Sequence, residues 1–364
     1  MIFELSTEFI KRYRKFLSSK EYRDIDSHSK SDYWKHHSDA VDISISGNTV
    51  TVGGESGFYI PSNKNLLKNS RDKILKLIEN PSKLIPYIKR KIGISESEIK
   101  LLSNYEAFEK VMNQDTLADP DLSSFRINFL NLKEKPGIES SIENIQNNYF
   151  AKDKYNVSPH IVRTYYFFNI LHAYLDITRT KTILEIGAGN GNLLSFLYSF
   201  SNDTTIIDVD LPETLSHAIL YISDLFPKAK LLLPNETESV LHGFDNYDFV
   251  FLIPKQSHLI KNDSIDLAIN IASFQEMTHR QIEEYFELIQ RCAKNESHFF
   301  TINRVEKIPC GPDSFKKETS EPPNRFSEYP WNSKTNKTLI YEICRLTRLV
   351  QLDNAYIRLE QIKK

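Results

Sequence analysis

The spacing of apolar residues changes character near residue 175. Before it they recur mostly three and four apart, as in Ile74, Leu75, Leu77 and Ile78, or in Ile161, Tyr165, Phe168, Ile170, Leu171 and Leu175. That spacing is helical. Residues 1 to about 40 read as a helix or two, residues 66–91 as helices broken near Pro81 and Pro86, and Ser158-Pro159 as the start of a long aromatic helix with proline at its first position. One stretch differs. Val41-Asp-Ile-Ser-Ile-Ser-Gly-Asn-Thr-Val-Thr-Val52 alternates apolar and polar residues on both sides of Gly47-Asn48, which predicts a two-stranded hairpin. The turn signal Lys135-Pro136-Gly137 is the predicted boundary between a mainly helical accessory region, residues 1–140, and a second domain, residues 141–364.

Beyond residue 175 short apolar runs alternate with amphipathic stretches. Ile183–Ile186, Thr204–Val209, Lys230–Leu233, Phe249–Ile253, Ser264–Asn270 and His298–Asn303 predict strands, several too apolar to be covered on one face only. Helical spacing follows at Leu193, Leu194, Phe196 and Leu197, and again at Ile282, Phe286 and Ile289 behind a Thr278/Gln281 capping box. This order predicts an α/β fold with a Rossmann-like, doubly wound sheet. Thr338 to Gln351 suits either an amphipathic strand or a helix.

The first candidate site is Thr182-Ile-Leu-Glu-Ile-Gly-Ala-Gly-Asn-Gly-Asn-Leu-Leu194, a strand running through Gly187, Gly189 and Gly191 into a helix. Glycines suit such a turn because it visits positive φ and because a ligand can then approach the backbone. A dinucleotide fingerprint, G-x-G-x-x-G, needs its third glycine one residue later, where Asn192 stands, so NAD is disfavoured. About twenty residues on, Asp208-Val-Asp-Leu-Pro-Glu213 places two carboxylates at the end of the second strand, where a ribose is bound in folds of this kind. Asp210, in the turn, is preferred to Asp208, inside the strand; the competing role for Asp210 is helix capping.

The second site is Asn270-Ile-Ala-Ser-Phe-Gln-Glu-Met277, polar residues at the carboxyl edge of an apolar strand, where open parallel sheets bind ligands. Farther on, Asn324-Arg-Phe-Ser-Glu-Tyr-Pro-Trp331 combines aromatic faces with hydrogen-bonding groups. It reads either as a sugar-binding platform, with Tyr329 and Trp331 as its rings, or as a plug on the core.

Charge and composition narrow the partners. Forty-six basic residues against 48 acidic leave the chain near neutral, so no global field recruits nucleic acid or a membrane. Residues 64–91 are locally basic, which reads more readily as a solvated helix face than as a patch for an anionic saccharide, lipid headgroup or phosphate. Three widely spaced cysteines suggest neither a disulfide framework nor a structural zinc site, and the amino-terminal stretch lacks a signal-peptide core. The expectation is a cytoplasmic protein without membrane insertion; self-association into a homo-oligomer stays open.

The pattern Glu185-x-Gly187-x-Gly189-x-Gly191 resembles motif I of the class I S-adenosylmethionine-dependent methyltransferases. Together with Asp208–Glu213, the Asn-x-x-Ser-Phe-Gln-Glu-Met run and the Asn303-Arg304 strand end, it resembles a bacterial family of sugar O-methyltransferases over residues 140–335. The resemblance implies a class I methyltransferase fold, S-adenosyl-L-methionine as cofactor, and methyl transfer to a sugar or glycan hydroxyl in polysaccharide biosynthesis. It implies cofactor binding by Glu185, Gly187, Gly189, Gly191, Asp208, Asp210, Leu211, Asn270 and Ser273, and substrate binding by Gln275, Arg304, Tyr329 and Trp331. Its helix ahead of motif I would place His160, Arg163 and Tyr165 toward the site. A hydroxyl needs a base, and Glu276 and His279 are the two candidates; Glu276 also suits a sugar hydroxyl or a divalent ion, although no metal site is assigned. The alternatives are methylation of another small molecule or a protein, NAD-dependent oxidoreduction, and a non-catalytic scaffold of the same fold.

Overall fold

The computed structural model describes residues 2–23, 42–53, 159–201, 203–239, 243–307, 322–344 and 355–364. The predicted boundary at 135–137 and the basic stretch 64–91 lie outside them. The chain forms two compact units, one of Met1–Phe58, Tyr174–Thr347 and Leu352–Lys364, the other of Tyr59–Ala173 and Arg348–Gln351.

The first unit begins with β1 (Ile2–Glu4), α1 (Thr7–Ser18), the single turn α2 (Lys20–Arg23), β2 (Asp42–Ser46) and β3 (Thr49–Gly53). The hairpin is present, but it is not two-stranded: β1 pairs antiparallel with β3, giving the order β1-β3-β2. The added strand buries Phe3 beside Val50 and Val52, apolar residues that a lone ribbon leaves wet. Ser6 caps α1 by accepting the Phe9 N–H at 3.2 Å, and Ile10, Tyr13 and Phe16 form its buried stripe. In the second unit the described part belongs to α3 (Pro159–Tyr174), with proline at its first position as predicted and Phe167, Phe168 and Leu171 buried. The side chains of His160, Arg163 and Tyr165 lie outside the described set.

The remaining elements of the first unit alternate. They are β4 (Thr182–Ile186), α4 (Asn192–Phe200), β5 (Thr205–Val209), α5 (Pro212–Leu225), β6 (Leu231–Leu232), β7 (Phe249–Leu252), β8 (Ile265–Ile271), α6 (His279–Cys292) and β9 (Ala293–Arg304). Two short strands, β10 (Glu306–Lys307) and β11 (Asn324–Arg325), then pair with each other, and β12 (Lys337–Ile343) and β13 (Ala355–Gln361) close the large sheet. Its order is β12-β13-β9-β8-β4-β5-β7-β6. The strands from β6 to β9 pair in parallel, and β13 runs antiparallel to both neighbours. The ambiguous segment from Thr338 is therefore a strand over its described part. Tertiary pairing with β13 decides what its own pattern does not.

Strand alternation sends side chains to two cores. Leu184, Ile186, Ile207, Val209, Val250 and Leu252 face a cluster that takes in Ile282, Leu288 and Ile289 of α6. Phe249, of opposite parity, meets Tyr198 of α4 and Phe226 at the end of α5. Helices thus cover both faces, the doubly wound arrangement expected. Helix α1 packs at the β6 edge: the Arg12 guanidinium donates to both carboxylate oxygens of Glu236, each at 2.7 Å, and to Leu231 O at 2.6 Å, while Tyr13 OH donates to Ser216 O.

Candidate functional site

The two neighbours of β4 in the sheet are β5 and β8, so the chain goes from β4 first to one side and later returns to the other. The carboxyl ends of β4 and β8 therefore flank the point where the topology reverses, the crevice in which open α/β sheets bind ligands. The glycine loop leaves β4 there. Gly187, Gly189 and Gly191 have φ values of 74°, 65° and 78°. At Gly187 the requirement is steric as well, since a Cβ there would stand 2.3 Å from Ser273 Oγ.

The acidic turn at the end of β5 closes on this loop. Asp210 Oδ2 accepts the Gly189 N–H at 3.0 Å, and Oδ1 accepts the Leu211 N–H at 2.7 Å as α5 begins. Three buried carboxylates gather here. Glu185 and Asp208 are register partners on β4 and β5, so their side chains leave the same face of the sheet. Burial pushes Glu185 up to about 8, reinforced by Asp210, and pushes Asp210 up to about 7 against the two backbone N–H groups that favour its charged form. Asp208 is raised well above the usual carboxylate range, first by burial and then by Asp210 and Glu185. Among the described residues, the Asp208 oxygens have no close hydrogen-bond partner beyond the weak influence of the Ala188 N–H, and Glu185 Oε2 has none.

Across the crevice, the Asn270–Met277 segment is held by buried amides. Asn270 Nδ2 donates to Ile186 O at 2.9 Å and to Ser273 Oγ at 2.5 Å, and Ser273 Oγ donates to Ile186 O at 3.0 Å, tying the end of β8 to the end of β4. Asn303 Nδ2 donates to Asn270 Oδ1 at 2.9 Å, and its Oδ1 accepts the Gln275 N–H at 3.1 Å. Gln275 Oε1 accepts the Arg304 N–H at 2.8 Å. From β11, Asn324 Nδ2 donates to the carbonyls of Phe274, Gln275 and Met277, holding the 3-10 turn Phe274–Glu276 in place.

That turn presents Glu276, whose carboxylate accepts from Lys307 Nζ at 3.0 Å; the two side chains are 12% and 8% exposed. Burial raises Glu276, while Lys307, Gln275 and Arg304 pull it down. Its charge reaches Asp210 across the crevice and raises it.

The predicted residues divide accordingly. Glu185, Gly187, Gly189, Gly191, Asp208, Asp210, Leu211, Asn270 and Ser273 come together at the switch point, with Glu276 and Arg304 beside them. Gln275, expected at the substrate, is 3% exposed and turned into the amide network. His279 is exposed at the first position of α6. Tyr329 and Trp331 do not form an open platform. Tyr329 is buried among Phe274, Phe286, Phe326 and Trp331, and Trp331 Nε1 donates to Phe326 O at 2.9 Å. Their hydrophobic area is spent covering the α6 side of the sheet, the plug reading of that loop. Lys307 carries no local sequence signal, because its partner lies thirty-one residues away. Asn324, the first residue of that loop, likewise shows its bracing role only through contacts with carbonyls about fifty residues away.

Fold and site together define a Rossmann-like α/β protein with a glycine loop and a cluster of buried carboxylates at its topological switch point. No protein-family model matches the chain, and no curated protein matches its sequence. Among solved structures it is similar to an S-adenosylmethionine-dependent methyltransferase from Methanosarcina mazei, at 14% identity over 53% of this chain and 97% of that one, with a TM-score of 0.38. It is also similar to one from Aquifex aeolicus, at 13% identity over 54% and 89%, TM-score 0.34. A third is the Haemonchus contortus phosphoethanolamine N-methyltransferase 1, solved with phosphoethanolamine and S-adenosylhomocysteine, at 12% identity over 68% and 50%, TM-score 0.37.

Proposed function

We propose that the protein is an S-adenosylmethionine-dependent O-methyltransferase whose acceptor is a sugar hydroxyl. The observation that carries the reading is the convergence of the glycine loop, Asp210 and the Asn270–Ser273 link on one crevice at the switch point. The residues present fit the cofactor. The glycine loop offers backbone N–H groups at a turn with positive φ, Asp210 supplies a carboxylate for ribose hydroxyls, and buried carboxylates suit a ligand bearing positive charge. The bound cofactor supplies an activated methyl group on a sulfonium. What the chain must add is alignment and removal of one proton.

Glu276 is the base in this reading. Lys307 favours its ionised form inside a buried site, and the amide network fixes the turn that carries it. An acceptor hydroxyl donating to Glu276 would lose its proton to the carboxylate as its oxygen attacks. His279, in solvent at the start of α6, is set aside. Arg304 borders the acceptor side.

Calorimetric titration with S-adenosylhomocysteine, with NAD as control, tests the cofactor. Micromolar binding that is lost in Asp210→Ala is expected; no binding, or preference for NAD, overturns the reading. Nucleotide sugars and glycans are then the acceptors to screen.

A further inference from the structure

The crevice holds more negative charge than ribose recognition uses. Asp210 is engaged by two backbone N–H groups, yet Glu185 and Asp208 lie behind it, 3% and 1% exposed, on adjacent strands in register. Two ionised carboxylates cannot stand side by side in a dry site without a compensating cation. The charged and titratable groups around them are mostly of the same sign. Asp210 acts on both, and Asp208 also acts on Tyr285 of α6. Glu213, from the first turn of α5, and Glu276 act on Asp210. The favourable influence on Asp208 from the glycine loop is the Ala188 N–H, a dipole rather than a charge. Lys307 is committed to Glu276. Among the described residues, no group of three His, Cys, Asp or Glu side chains is arranged to hold a metal ion.

Building on the methyltransferase reading, we propose that Glu185 and Asp208 retain a proton in the ligand-free protein and release it to solvent when a cationic ligand enters the crevice. S-adenosylmethionine carries a sulfonium and a net positive charge. S-adenosylhomocysteine, its neutral thioether counterpart, lacks that charge. The buried pair thereby lets the site discriminate the cofactor from its spent form, and the discrimination strengthens as pH rises. The direction follows from linkage: a cation favours the ionised carboxylates, so its binding is opposed by protons, while binding of the neutral ligand is opposed less. Asp208 titrates together with its neighbours, with Asp210 and Glu185 both acting on it, so the released proton is shared within the cluster.

The test is calorimetry with S-adenosylmethionine and S-adenosylhomocysteine from about pH 5.5 to about pH 7, repeated in two buffers of different ionisation enthalpy. The ratio of their association constants is expected to rise by up to roughly tenfold per pH unit, with about one more proton released for the cation. Asp208→Asn should lessen that slope, because it removes one of the buried carboxylates that hold the proton; Glu185→Gln is the companion variant should the first fail to fold. Equal pH profiles for the two ligands in the unaltered protein overturn the proposal while leaving the cofactor assignment intact. Failure of both ligands to bind removes that assignment and the proposal with it.

Discussion

Glu276 and Lys307 show how one contact sets the chemistry of a side chain. Burial alone moves a carboxylate toward its neutral form, in which it cannot take a proton; an ammonium 3.0 Å away opposes that shift. Replacing Lys307 with Met should therefore raise the pH at which Glu276 ionises. An infrared titration of the carboxyl band, referenced to Glu276→Gln, measures the midpoint directly, and an unmoved midpoint would show that Lys307 does not govern it. Of this pair the sequence discloses one member. Glu276 stands beside Ser273 in a polar cluster at a strand end, a local signal, whereas Lys307 is one lysine among many until β10 brings it back. Gly187 is the opposite case. Its need for positive φ is local and legible in the glycine spacing, although the close approach of Ser273 that also forbids a Cβ is not.

The elements were readable wherever a cap or a period marked them. Helix α6 begins at the capping box that Thr278 and Gln281 predict: the Gln281 N–H donates to Thr278 Oγ1 at 3.3 Å, and the Thr278 N–H to Gln281 Oε1 at 2.9 Å. The loop from Asn324 to Trp331 carried no such mark, and hydrogen-bonding groups interleaved with rings look alike in a sugar platform and in a plug. Its rings pack on Phe286 and Phe299, with the Arg358 guanidinium 4.2 Å over the Trp331 ring. Trp331→Ala should accordingly lower the melting temperature by several degrees, a loss on the order of 2–3 kcal/mol for a half-buried ring, and leave S-adenosylhomocysteine affinity unchanged. Thermal unfolding together with calorimetry checks both; weakened ligand binding without loss of stability would restore a role at the site.

Across the molecule, buried titratable groups make stability depend on pH in a definite direction. Glu185 at about 8 and Asp210 at about 7 bind protons more tightly folded than unfolded, so their contribution declines as pH rises from the ordinary carboxylate range through those values. His217, lowered to about 4 by burial, works oppositely: its penalty appears as pH falls below its ordinary value near 6.5. Above that value the described carboxylates work in one direction, and the ligand-free protein should melt at progressively lower temperature from about pH 6.5 to about pH 8.5. Asp208→Asn should reduce the slope. A flat profile in a pH series of melting curves would mean that these carboxylates are ionised throughout.

What could be read from residue order alone was everything with a short-range cause. The alternation of apolar runs with helical stretches foretold a doubly wound sheet, glycine spacing located the loop, and Gly47-Asn48 located the hairpin. Long-range contact decided the rest. Phe3 added a third strand to that hairpin, β13 made a strand of the segment from Thr338, Asn303 and Asn324 fixed the turn bearing Glu276, and the register of β4 with β5 set Glu185 beside Asp208. The reason is physical: period, cap and turn act over a few residues, whereas burial and the charge of a neighbour exist only after the chain has folded back on itself.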